Sequence, residues 1–198
     1  MKRLQFAVFA TLLAVGVAAP SPSHATMFVY QTALDGATAG TASPGTGSAE
    51  IDWNDVANTM RVQASFSGLL GPTTAAHIHA PTASPGTGSA GIATELPSFT
   101  GFPLGVTSGT FDNTYDLTLA TTYSPAYVAA SGGTAAGAEA ALKAALDARE
   151  AYFNIHTSSF PNGEISGFPT LVPEPGTGLL VIAGLLGFAG WRRARPQQ

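Results

Sequence analysis

Between Met60 and Ser67 apolar and polar side chains trade places at every step: Met60, Val62, Ala64 and Phe66 against Arg61, Gln63, Ser65 and Ser67. Successive strand residues face opposite sides, so this pattern predicts a half-buried β-strand with a core on one face. Further strands are expected at Phe28 to Leu34, Gly47 to Trp53, Gly91 to Leu96, Val106 to Phe111 and Tyr115 to Leu119. A last pair, Ala151 to Thr157 and Glu164 to Phe168, is joined across the turn-forming Pro161-Asn162-Gly163. One helix interrupts them, from about Thr134 to Glu150, with Ala138, Ala141, Leu142, Ala145 and Leu146 along one stripe. The expected fold is mainly β, an antiparallel Greek-key sandwich with one inserted α-helix.

Two of the strand segments carry the chain's polar centre. Ala75-Ala76-His77-Ile78-His79 and Tyr152-Phe153-Asn154-Ile155-His156 both alternate polar residues with isoleucine. His77 and His79 share one face, as do Asn154 and His156, while Ile78 and Ile155 point the other way. Three of the four histidines lie here, and the fourth, His24, falls in a segment expected to be removed.

The ends have the character of addresses. Lys2 and Arg3 precede an apolar run from Leu4 to about Ala19, then Ser23-His24-Ala25. A basic start, a short apolar core and a small-x-small site describe a secretory signal peptide over residues 1–25. At the other end Val172-Pro173-Glu174-Pro175 precedes an apolar run, Gly178 to Trp191, and then Arg192, Arg193 and Arg195. The run is expected to form a transmembrane-type helix, with the arginines on its cytoplasmic side. Residues 26–171 then form a single domain. It has three basic side chains against eleven acidic ones, a net charge of −8 that argues against nucleic acid as a partner. The absence of cysteine removes disulfides and thiolate ligands from consideration. Thr41 to Ala49 recurs letter for letter as Thr82 to Ala90, which reads either as two similar loops each delivering a strand or as convergence of Gly/Ser/Pro-rich sequence.

The C-terminal segment 172–198 resembles the PEP-CTERM sorting signal, with Pro173, Glu174 and Pro175, the apolar run, and Arg192 and Arg193 in order. That resemblance implies an exported Gram-negative bacterial protein, processed by signal peptidase and an exosortase. It would pass through an inner-membrane intermediate to the cell surface or an extracellular polysaccharide matrix. The domain between the ends is similar to the CHRD family through Phe66-Ser-Gly-Leu-Leu-Gly71, Thr74-Ala-Ala-His-Ile-His79, Ala151-Tyr-Phe-Asn-Ile-His-Thr157 and Phe160-Pro-Asn-Gly-Glu-Ile-Ser-Gly167. This implies a β-rich extracellular module with no established catalytic activity. Ser166 stands where the family often has arginine.

Two chemistries suit the polar centre. His77, His79 and His156 could ligate Zn or Cu through neutral imidazoles, with Asn154 or Glu164 beside them. Alternatively, the same groups could form a buried hydrogen-bonded network that sets strand register. The His-x-His strand looks like the copper-site strand of Cu/Zn superoxide dismutases, but the remaining histidines of such sites are missing. Ser158 and Ser159 adjoin His156 without a Gly-x-Ser-x-Gly elbow, and no paired carboxylates stand in a recognisable context, so no enzyme is expected. The expected function is a non-catalytic structural or binding module, with exopolysaccharide or surface proteins as partners. Metal binding is its alternative.

Overall fold

The computed structural model describes residues 27–173. Eight strands are arranged in one antiparallel sheet: β1 (Met27–Asp35), β2 (Thr46–Asn54), β3 (Thr59–Ser67), β4 (Thr73–His79), β5 (Gly109–Asp116), β6 (Tyr152–Thr157), β7 (Ile165–Gly167) and β8 (Thr170–Leu171). The hydrogen-bonded order is β4-β6-β7-β1-β2-β3-β5, with β8 also on β1. Strands β1 to β3 form a meander in full register, Tyr30 opposite Ile51 and Ile51 opposite Val62. The chain then crosses to the far edge for β4 and returns beside β3 for β5.

The expected sandwich is therefore one continuous sheet that curls on itself. Its two halves join at a narrow seam where β7 meets β1 in the single pair Asp35 and Ser166. Gly167 permits that approach, because a Cβ there would come within 2.1 Å of the Ala33 carbonyl oxygen. Phe99, in the β4–β5 connection, stacks on Phe111 of β5 and Phe153 of β6, with Tyr115 of β5 at its side. Opposite ends of the strand order thus meet across one core, built on Tyr30, Ile51, Trp53, Val62, Ile78, Phe153 and Ile155. The same connection runs along the free edge of β4. The Phe99 N–H donates to the Ala76 carbonyl and Ser98 Oγ accepts from the Ala76 N–H, so the edge is paired rather than exposed.

The inserted region holds more helix than the alternation of apolar residues indicated. The expected helix is α2 (Ala135–Asp147), whose Ala138, Leu142, Ala145 and Leu146 are buried. Ahead of it come a 3₁₀ turn, Ala120–Thr122, and α1 (Pro125–Ala130), capped by Ser124 with proline in its first turn. On α2, Asp147 accepts a hydrogen bond from the Tyr30 hydroxyl at 2.5 Å and Lys143 lies 3.9 Å above the Phe28 ring, which ties the helix to β1.

Three expectations need correction. Residues 91–96 make only isolated bridges, Ile92 with His79 and Thr94 with Tyr123, because they serve as cover for β4. The two strands expected over 106–119 are one strand, β5, its length set by pairing along the whole of β3. The repeated nonapeptide takes two roles: its first copy leads into β2, while the second is a loop over the outer face of β4. The segments predicted as signal peptide and apolar helix, together with Glu174, Pro175, Arg192 and Arg193, lie outside the described residues, whereas Pro173 ends them. Among the described residues no helix is long and apolar enough to cross a membrane.

Candidate metal centre

Strands β4 and β6 pair antiparallel, with His77 opposite Asn154, His79 opposite Tyr152 and Ala75 opposite His156. Ile78, Phe153 and Ile155 face the core, so alternation turns His77, His79, Asn154 and His156 together onto the outer face. That face is nonetheless closed. His77, His79 and His156 are 3%, 7% and 8% exposed, and Asn154 is 3% exposed. The loop after β4 and the turn between β6 and β7 lie over them and supply backbone carbonyls.

Those carbonyls determine the tautomers. His77 Nε2 is 2.8 Å from the Pro97 oxygen, His79 Nδ1 is 3.0 Å from that of Ala90, and His156 Nδ1 is 2.8 Å from that of Pro161. A carbonyl oxygen only accepts, so each of these ring nitrogens carries the proton, leaving the other as a lone pair in a neutral ring. The lone pairs belong to His77 Nδ1, His79 Nε2 and His156 Nε2. One nitrogen of each ring lies within 4.8 Å of the others. His79 Nε2 and His156 Nε2 are 3.2 Å apart, and His77 Nδ1 is buried with no hydrogen-bond partner among the described residues.

Three neutral rings grouped this closely offer a cation nitrogen lone pairs. Burial, with His156 close by, pushes the His77 ring down to about 4. Burial likewise holds His79 at about 4 against the opposing bond to Ala90, and lowers His156. Desolvation disfavours the imidazolium form, so at neutral pH the rings are free bases. Tyr152 stacks on His79 with ring centroids 4.8 Å apart, and its hydroxyl donates to the Ala90 oxygen at 3.4 Å, the carbonyl that also holds His79.

Asn154 joins this cluster. Its Nδ2 donates to the Asn162 carbonyl at 3.1 Å and reaches His156 Nε2 at 3.5 Å, while its Oδ1 is buried with no partner among the described residues. Gly163, at φ +118°, lies so close that a Cβ would fall 2.1 Å from Asn154 Oδ1. Glu164, the other residue expected beside the imidazoles, turns its carboxylate elsewhere. It is fully buried and accepts from Ser43 Oγ at 2.6 Å, Thr157 Oγ1 at 2.7 Å, Leu70 N–H at 2.5 Å and Gly71 N–H at 3.3 Å. Burial raises its pKa, but the four donors outweigh that and hold it below the usual carboxylate range. The segments Phe66 to Gly71 and Phe160 to Gly167 therefore meet through one carboxylate, which clamps the loop after β3 to the turn before β7.

Sequence reasoning missed the carbonyls of Ala90, Pro97 and Pro161 and the stacking of Tyr152. Backbone acceptors leave no mark in residue type. Tyr152, by contrast, is two residues from Asn154 on the same strand, so its shared face was readable.

The CHRD domain model matches residues 30–168, well over half of the chain. No curated protein and no solved structure matches. The matched span runs from within β1 to the residue after β7, enclosing both the three imidazoles and the Glu164 clamp, and on that match this chain belongs to the CHRD domain family.

Proposed function

We propose that this chain is an exported, non-catalytic module whose centre holds one transition-metal ion, zinc or copper, on His77, His79 and His156. The observation that carries the reading is the pair of Nε2 lone pairs 3.2 Å apart, each ring locked in that tautomer by a backbone carbonyl. Two lone pairs at that distance repel unless a cation lies between them, and the Asn154 Nδ2 contact at 3.5 Å reaches only that of His156. Ligands about 2.0–2.1 Å from a tetrahedral ion stand about 3.3 Å apart, so His79 and His156 are already spaced for one. His77 would supply the third imidazole, and the carbonyls behind the rings are acceptors of the kind that orient metal-bound histidines. A purely structural network would instead place a proton between neighbours, as it does around Glu164.

Export rests on the basic, apolar and small-x-small pattern of residues 1–25 and on Pro173-Glu174-Pro175 with its following apolar run and arginines. Signal peptidase and an exosortase are the processing partners this reading requires, and the cell surface or its polysaccharide matrix the destination.

Protein purified without a histidine tag and then exposed to zinc or copper should retain about one equivalent after gel filtration and melt at a higher temperature than the chelated form. His77→Ala and His156→Ala should lose both responses. Retention of no metal by the unsubstituted chain removes the reading. Mass spectrometry of the protein released by its native host should find termini near Thr26 and near Pro173 to Pro175. Unprocessed ends would sink the export assignment alone.

A further inference from the structure

We infer that the centre selects monovalent copper over zinc, an inference that rests on the metal-binding reading above. The donor set is neutral throughout. Among the described residues the ligand group contains three histidines and no carboxylate, and the chain has no cysteine. Glu164 cannot supply the missing charge, because both of its oxygens are engaged by Ser43, Thr157 and the Leu70 and Gly71 amides. The site is also closed, its three rings and Asn154 each less than a tenth exposed. The penalty of burying an ion rises with the square of its charge, so an uncompensated divalent ion costs about four times what a monovalent one does.

Coordination number points the same way. Zinc in protein sites takes four ligands, the fourth commonly a water or carboxylate. Cuprous ion has no such demand and is satisfied by three nitrogens. Beside His156 Nε2 the structure places Asn154 Nδ2, an N–H group with no lone pair to offer, and the same amide's Oδ1, buried with no partner among the described residues, brings no negative charge. The Asn162 carbonyl holds that amide in its orientation and the backbone of Gly163 packs against it.

The test is a pair of competition titrations on the untagged full chain, one with a chromophoric cuprous chelator under anaerobic reducing conditions, the other with a zinc chelator. One cuprous ion should bind per chain at an affinity at least about 100-fold above that for zinc, and His77→Ala should lose it. Asn154→Asp places an anionic oxygen where the amide stood, and should narrow the copper-to-zinc ratio by about tenfold or more. Zinc held as tightly as cuprous ion overturns the selection and leaves the metal site standing. A ratio unmoved by Asn154→Asp removes the charge argument behind it. Failure of the unsubstituted chain to hold either ion retires this inference and the metal reading together.

Discussion

Glu164 shows how one side chain can organise a loop-rich domain. A fully buried carboxylate is tolerable only when its lone pairs are filled, and here two hydroxyls and two amides fill them. Glu164→Gln keeps the shape but substitutes an amide whose N–H₂ meets donors, so unfolding free energy should fall by about 2–4 kcal/mol in urea titrations. A loss below about 1 kcal/mol would mean the clamp is incidental. The sequence placed Glu164 beside the imidazoles, and the partners it takes instead were not legible, since Ser43 is 121 residues away and amides carry no sequence signature. The histidines differ in this respect: period-two spacing alone put His77 with His79, and Asn154 with His156, on shared faces.

Among the elements, the connection from β4 to β5 does most to turn a sheet into an enclosed core. Phe99 contacts Phe111, Tyr115 and Phe153, so its ring holds the two ends of the curl together. Phe99→Ala should cost about 3–5 kcal/mol, measured as a drop in the urea midpoint, with little change in the strand signal of the remaining folded protein. A cost under about 1 kcal/mol would place the closure elsewhere. The strands of the meander were readable because each has one wet face, and α2 because its apolar residues follow a helical stripe. Residues 91–96 misled because a β-rich composition also suits an extended cover that bonds to one edge. Helix α1 is too short to establish a period, yet Ser124-Pro125 is a helix-start signal that the sequence carried openly.

For the molecule as a whole, the buried imidazoles set a pH range. His77 and His79 are lowered to about 4 in the folded chain from an ordinary value near 6.5 in the unfolded one. Between those values the unfolded chain binds more protons, so stability is fully present above about pH 6.5 and is lost as pH falls toward 4. Each ring contributes about 3 kcal/mol across that window, and Glu164, also lowered, adds a further loss below its ordinary value of 4.5. Urea midpoints of chelated protein should decline from pH 7 to pH 4, and His79→Gln should flatten the upper part of the curve. A midpoint independent of pH over that range would contradict the burial of these rings. The sequence by itself determined the strands of the meander, the amphipathic helix, the shared faces of the histidine pairs and the family resemblance, because all of these are written in local spacing. Only the tertiary structure decided that β4 and β6 are neighbours, that Glu164 turns away from the imidazoles, and that loop carbonyls close over them. Strand order and loop cover follow from which apolar faces meet across the core, a balance of contacts between residues dozens of positions apart that no local pattern encodes.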